Sequence, residues 1–135
     1  MGCALCEEAG GPLLWRGETC RIVRAPTEGY PGFLRVILNR HVREMTELEV
    51  GERNRLMNAV WAAESTVREL YMPDKVNLAS FGNQVPHLHW HVIARYADDP
   101  HFPDPAWGAP RRQAPAARQV VDDSEVIARL AARLG

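Results

Sequence analysis

The sequence predicts a mixed fold of strands and helices, and three observations carry that prediction. Short strand-like stretches broken by Gly and Pro fill the region before residue 40, and one long helical pattern follows them. Beyond the helix two further strand patterns meet at a Gly82-Asn83 turn, and the second contains Pro86-His87-Leu88-His89-Trp90-His91-Val92. Side chains alternate across a strand. His87, His89 and His91 are therefore expected on one face, with Leu88, Trp90 and Val92 on the other. The apolar set suits a core-facing surface. The imidazole set suits a chemical site, because neutral imidazole is a nucleophile and a proton carrier near neutral pH.

Taken in order, Cys3-Ala4-Leu5-Cys6 reads as a tight knuckle, followed by a loop through Gly10-Gly11. Leu13–Arg16 reads as a short strand and Gly17-Glu18 as a turn. Residues 19–25 form its partner strand, with Cys20 and Ile22 sharing a face with Arg24. A Pro- and Gly-rich loop leads to Phe33–Leu38, apolar except for Arg35 and so expected at the centre of a sheet. The next pattern places Leu56, Val60, Ala63, Val67 and Leu70 at spacings of three and four, which predicts a helix over 50–71 with that stripe buried. Pro73 ends it. Residues 75–81 alternate weakly and predict a strand, joined by the short turn to a histidine strand over 85–95. Residues 98–115 carry five prolines' worth of interruption at 100, 103, 105, 110 and 115 and predict an irregular strap. Asp123 or Ser124 can cap a final helix through Leu134, with Val126, Ile127, Leu130, Ala131 and Leu134 as its stripe.

The totals bound the function. A chain of 135 residues fits one domain, and 46% hydrophobic with 24% charged residues is a globular composition. Sixteen basic and 17 acidic residues give a net charge of −1, which offers no electrostatic basis for binding duplex nucleic acid or a membrane surface. A phosphate-bearing ligand must be held by a few aimed groups. No apolar run nears the ~20 residues that span a bilayer, and no signal-peptide pattern opens the chain, so a cytoplasmic protein is expected. Cys3, Cys6 and Cys20 are an odd set and argue against a disulfide framework. Cys20 reads as a small buried strand residue.

A nucleophilic histidine needs a partner that orients its second ring nitrogen, and donors for the charge on the group it attacks. Asn83 and Gln84 in the turn, and Asn77 across the hairpin, carry amides for a phosphate. No Ser-nucleophile motif or glycine-rich phosphate loop is present.

Residues 82–95, with His-φ-His-φ-His-φ-φ at 87–93 (φ apolar), resemble the signature of the histidine triad (HIT) family, and Pro31-Gly32-Phe33 with Val36-Ile37-Leu38-Asn39-Arg40-His41-Val42 is similar to its second signature region. The resemblance spans about residues 3–108, taken as the HIT domain (1–108), with 109–135 a C-terminal extension of the same domain. It implies an α+β fold: an antiparallel sheet of about five strands, one long helix, a C-terminal helix, and a sheet extended across a homodimer. It implies nucleotide binding at the triad and attack of His89 on an α-phosphate, through a nucleotidyl-histidine intermediate. His91 matches the phosphate-contacting position, Asn83 and Gln84 the turn positions, shifted by one residue from the family's usual chemistry, and Asn77 an upstream Asn near ribose or phosphate. Phe33 stands where some members carry another histidine, and no catalytic task is assigned to it. A small-molecule nucleotide is the expected partner, with no organic cofactor.

A C-x-x-C pair alone is half a zinc site, and tetrahedral zinc commonly takes two Cys and two His. The resemblance to zinc-bearing HIT proteins and the related galactose-1-phosphate uridylyltransferases implies a structural Zn²⁺ held by Cys3, Cys6, His41 and His87. Among the remaining residues, His101 reads as a surface histidine and Arg95 as a salt-bridge partner, while Trp107 either borders the site or packs on a dimer. Two functions fit. One is a hydrolase or nucleotidyl transferase acting on dinucleoside polyphosphates or adenylylated amines. The other is a purine-nucleotide-binding regulatory protein with slow or no catalysis.

Overall fold

The computed structural model describes residues 2–116 and 120–135. A short helix α1 (Ala4–Glu7) precedes strands β1 (Leu13–Arg16), β2 (Cys20–Arg24) and β3 (Phe33–Leu38). The long helix α2 (Val50–Tyr71) leads to β4 (Lys75–Ala79) and β5 (His89–Arg95), and α3 (Asp123–Leu134) ends the chain. The five strands form one antiparallel sheet in the order β1-β2-β3-β5-β4, so the fold is α+β as expected. The almost wholly apolar β3 lies at its centre, between β2 and β5.

Strand alternation divides the sheet into two chemically different faces. Cys20, Ile22, Leu34, Val36, Leu38, Val92 and Ala94 pack against Leu56, Val60, Ala63 and Val67 of α2 and against Val126 and Leu130 of α3. The other face presents Phe33, Arg35 and Ile37 from β3 beside His91 and His89 from β5. Among the described residues no long helix covers it. Its cover is the N-terminal segment, through Leu5 packed on Val23 and Ile37, and the strap that follows β5, through Ala106 packed on the Phe33 cluster.

The long helix takes the predicted span, and Glu49 and Glu52 close a capping box at its start. Two expectations differ. The histidine strand begins at His89 rather than at 85, and residues 80–88 replace the short turn. Pro86 has no N–H for the ladder, and the His87 N–H turns back to the carbonyl of Val85. Leu88 bonds instead to Leu38, the last residue of β3, and to Val42 beyond it. His87 therefore lies ahead of the strand, not on its face. The α3 stripe is also narrower than its periodicity implies. Val126 and Leu130 are buried, but Ile127 is 42% exposed. The polar flank is held by ion pairs of Arg129 and Arg133 with Glu69 on α2.

The strap is fastened by one buried ion pair. Arg95 and Asp99 are each 2% exposed, with Arg95 Nε 2.7 Å from Asp99 Oδ2. The same guanidinium donates to Asn77 Oδ1 and to the Asp104 carbonyl, both at 2.7 Å. Asp99 also accepts the Tyr30 hydroxyl and the backbone N–H groups of Tyr96, His101 and Phe102. Burial alone would raise the Asp99 pKa, but these donors outweigh it and hold the carboxyl well below the usual range. Removing one partner of a buried pair strands the other charge. Asp99→Ala is therefore expected to cost about 3–5 kcal/mol, while Asp99→Asn, which keeps an acceptor, costs less. Urea unfolding of the two variants and the parent checks both the size and the order.

Candidate functional site

A cavity of about 960 Å³ opens on this second, lightly covered sheet face. His89 and His91 of β5, Arg35 of β3, residues 81–85 of the loop before β5, and Trp107 of the strap line it, with residues 8–11 as the opposite wall. Gly10 and Gly11 have φ of 91° and 148°, and a Cβ on Gly11 would lie 2.2 Å from the Arg24 carbonyl oxygen. Only glycine lets this wall run so close to the sheet. Arg21 ties the same segment down, donating to the carbonyls of Leu5, Glu8 and Ala9.

The tautomers of two histidines follow from their partners, since a carbonyl only accepts. His89 Nδ1 lies 2.5 Å from the His87 carbonyl oxygen, so in the neutral ring Nδ1 carries the proton and Nε2 keeps its lone pair. This is the orienting partner a nucleophilic imidazole requires. His87 is fully buried, and its Nε2 lies 2.7 Å from the Leu38 carbonyl oxygen. In the neutral ring the proton is on Nε2, and Nδ1 is the free donor atom.

That His87 Nδ1 lies 3.4 Å from Cys3 Sγ, 3.4 Å from Cys6 Sγ and 3.3 Å from His41 Nδ1, and His41 Nδ1 is 3.4 Å from Cys6 Sγ. The four donor atoms all lie within 4.8 Å of one another. A tetrahedron with Zn–N of about 2.05 Å and Zn–S of about 2.3 Å has edges of about 3.3 Å between nitrogens and about 3.6 Å between nitrogen and sulfur. The donor set and its spacing thus fit a tetrahedral ion of that size. The four residues that the family resemblance groups do lie together, although they are scattered over 84 positions.

His91 is the third ring of the triad and the most enclosed by aromatic groups. It is 7% exposed, with its centroid 5.0 Å from those of His89 and Trp107, 5.6 Å from Phe33 and 6.3 Å from Phe81. Its Nδ1 is buried without a hydrogen-bond partner. Burial first, then the proximity of His89 and Arg35, depress its pKa from 6.5 to about 4.

Asn83 and Gln84 line the cavity with the histidines. Asn77 lies opposite Ile93 on the same sheet face, but its Oδ1 is bound to Arg95. Trp107 borders the cavity, in edge contact with Phe81 at 5.0 Å. His101 is not the free surface residue expected. It stacks on Tyr30, and its Nδ1 is 2.6 Å from the Tyr30 hydroxyl. The proline-rich strap folds back onto the loop before β3, a long-range contact with no local signature. Phe81 and Arg35 were also missed as cavity residues. The signal for Arg35 was present: it is the lone charge in an otherwise apolar strand.

A HIT domain model matches residues 8–98. The chain belongs to the histidine triad family. A histidine triad protein from Bradyrhizobium japonicum is 26% identical, with 100% of this chain and 97% of that one covered and a TM-score of 0.74. One from Marinobacter aquaeolei VT8 is 31% identical, covering 93% and 90%, with a TM-score of 0.72. A third, from Sinorhizobium meliloti 1021, is 25% identical, covering 93% and 91%, with a TM-score of 0.71. No curated protein matches the chain.

The environment of His91 in this HIT chain has a measurable consequence. Between its two pKa values the unfolded chain takes up a proton that the folded chain does not. The stability of the ligand-free protein therefore falls as pH drops from 6.5 toward about 4. His91→Phe, which suits the aromatic surroundings, is expected to lose less stability than the parent between about pH 7 and about pH 4.5. Urea midpoints at both pH values measure the difference, and equal losses in the two proteins refute the assignment.

Proposed function

We propose that the chain is a nucleotide hydrolase or nucleotidyl transferase acting on the α-phosphate of nucleoside phosphate conjugates, either dinucleoside polyphosphates or adenylylated amines. The observation that carries this reading is the bond from His89 Nδ1–H to the His87 carbonyl, which leaves Nε2 as a free nucleophile. In the first step His89 Nε2 forms a bond to the α-phosphorus as the bond to the leaving group breaks, and the leaving group takes a proton from solvent. In the second, water attacks the same phosphorus and releases a proton to solvent, the P–N bond breaks, and the nucleotide leaves with His89 restored. An acceptor other than water makes the reaction a transfer. His91 and the amides of Asn83 and Gln84 stabilise the charge that gathers on the phosphate oxygens. Asn77 has its Oδ1 committed to Arg95, which leaves Nδ2 for ribose or phosphate.

His89→Asn is expected to lower turnover of a dinucleoside polyphosphate or a nucleoside phosphoramidate by at least about 10³-fold. Acid-quenched wild type is expected to carry one nucleotidyl group on His89 by mass spectrometry. Tight AMP binding with no turnover and no adduct would instead identify a nucleotide-binding regulatory protein.

We further propose that Cys3, Cys6, His41 and His87 hold a structural Zn²⁺, which supplies a closed, four-coordinate link between the N-terminal segment and the sheet. The donor spacing supports this, as does the His87 tautomer, which turns an unprotonated nitrogen toward both sulfurs. Protein purified without added metal is expected to contain about one equivalent of zinc, and Cys6→Ser to contain less than half of that. A wild-type content below half an equivalent, unchanged in Cys6→Ser, overturns the assignment. Residues 1–108 and 109–135 are read as one domain, supported by the packing of α3 on α2 and β1. Residues 117–119 lie outside the described residues. A cytoplasmic homodimer is the proposed form. Among the described residues no helix is long and apolar enough to cross a membrane.

A further inference from the structure

Four arginines sit on the interior strands β2, β3 and β5, and three are fully engaged. Arg21 donates to three carbonyls, Arg24 pairs with Asp123, and Arg95 holds Asp99, Asn77 and Asp104. Arg35 is different. Its one hydrogen bond runs from a terminal guanidinium nitrogen to the Gly10 carbonyl at 3.3 Å, near the limit of such contacts, and its Nε is buried with no partner. Among the described residues no carboxylate forms an ion pair with it. Glu8 lines the same cavity, but its side chain is exposed.

The position of this cation is as telling as its lack of partners. Arg35 is the direct antiparallel partner of His91, and both line the cavity with His89. Neighbouring strands are about 4.8 Å apart, so a group beside Arg35 lies one strand away from a phosphate beside His91. Val23 and His91 flank Arg35 on the adjacent strands, so no side chain directly across from it neutralises its charge. Partial burial pushes the guanidinium pKa down, the direction of a charge that has given up some of its water without gaining a counter-ion. A half-buried cation at a cavity wall, one of whose nitrogens has no partner, is available to an anion in the cavity, and a planar fork of N–H donors matches an oxyanion in two-point contact.

We infer that Arg35 anchors a second oxyanion of the substrate, beyond the α-phosphate held at His89 and His91. This rests on the nucleotide reading proposed above and narrows it. The preferred substrates are nucleoside phosphate conjugates whose departing part is itself negatively charged, as a further phosphate or a carboxylate, rather than amidates of neutral amines. Arg35 takes no part in bond making. It fixes the far end of the substrate so that the α-phosphorus meets His89 Nε2.

The test compares three adenosine compounds with the same α-phosphate: diadenosine tetraphosphate, an AMP amidate of aspartate, and an AMP amidate of a neutral amine. Arg35→Leu removes a half-buried charge that has no ion-pair partner among the described residues and is expected to fold about as well as the parent, with a similar melting temperature. It is expected to lower kcat/KM about 10- to 100-fold for a charged substrate, mainly through KM, the range for losing a hydrogen bond to a charged group. For the neutral amidate the fall is expected to stay within about threefold, and Arg35→Lys to restore part of the loss. Loss on the tetraphosphate identifies phosphate as the second anion, and loss on the aspartyl compound identifies carboxylate. Equal effects on all three compounds, or none, overturn the inference. If wild type turns over none of them, the catalytic reading has failed, and calorimetric titration with ADP and AMP decides Arg35 by itself. Weaker ADP binding in Arg35→Leu with AMP binding unchanged supports the anchor, and equal ADP affinity in the two proteins removes it.

Discussion

The carbonyl of His87 accepts the Nδ1 proton of His89, and the carbonyl of Leu38 accepts the Nε2 proton of His87. Each bond fixes which nitrogen of a ring keeps its lone pair, and the two rings come out opposite. His89 presents Nε2 to a cavity, and His87 presents Nδ1 to two thiols. Both acceptors are backbone atoms, so the assignment is built into the path of the chain. It depends on the departure of residues 80–88 from a regular hairpin. Had the ladder run on through Pro86, the His87 carbonyl would have been engaged across the sheet.

The rest of the molecule holds that path in place. One sheet face is buried under α2 and α3 and supplies the core. The other receives only light cover, from the N-terminal segment and the strap. These covers use different means. Arg21 holds the first through three carbonyls, whereas the buried Arg95–Asp99 pair holds the second and brings its tryptophan to the cavity edge. Polar anchoring suits segments too short to bury an apolar face of their own.

Much of this was legible in the sequence because local rules and tertiary demands agreed. The α2 stripe, the apolar β3 and the Gly17-Glu18 turn each specify an element that the sheet then uses. The donor set Cys3, Cys6, His41 and His87 was reached through family resemblance, since spacing alone offers only the knuckle. What escaped was non-local. Strand alternation suggested three equivalent histidines, but Pro86 breaks the alternation ahead of His89. His101 looked like a surface residue because its partner Tyr30 lies 71 positions away. Helical period overcounted the buried stripe of α3, since a helix docked at its edge buries a narrower band than its periodicity offers. Arg35 could be noticed as an anomaly, but only the register with His91 gives the anomaly a location.

Residues 4, 5 and 8–11 form one wall of the cavity, and that wall grows from the same few residues that carry Cys3 and Cys6. A molecule in the cavity and an ion among the four donors would therefore lean on a single short segment. Whatever ordering that segment requires is then required once, not twice. Thermodynamic reciprocity follows: by whatever factor an ion tightens the hold on the molecule, the molecule tightens the hold on the ion. The N-terminal knuckle would in that sense be a shared post for the two sites, which have no donor atom in common.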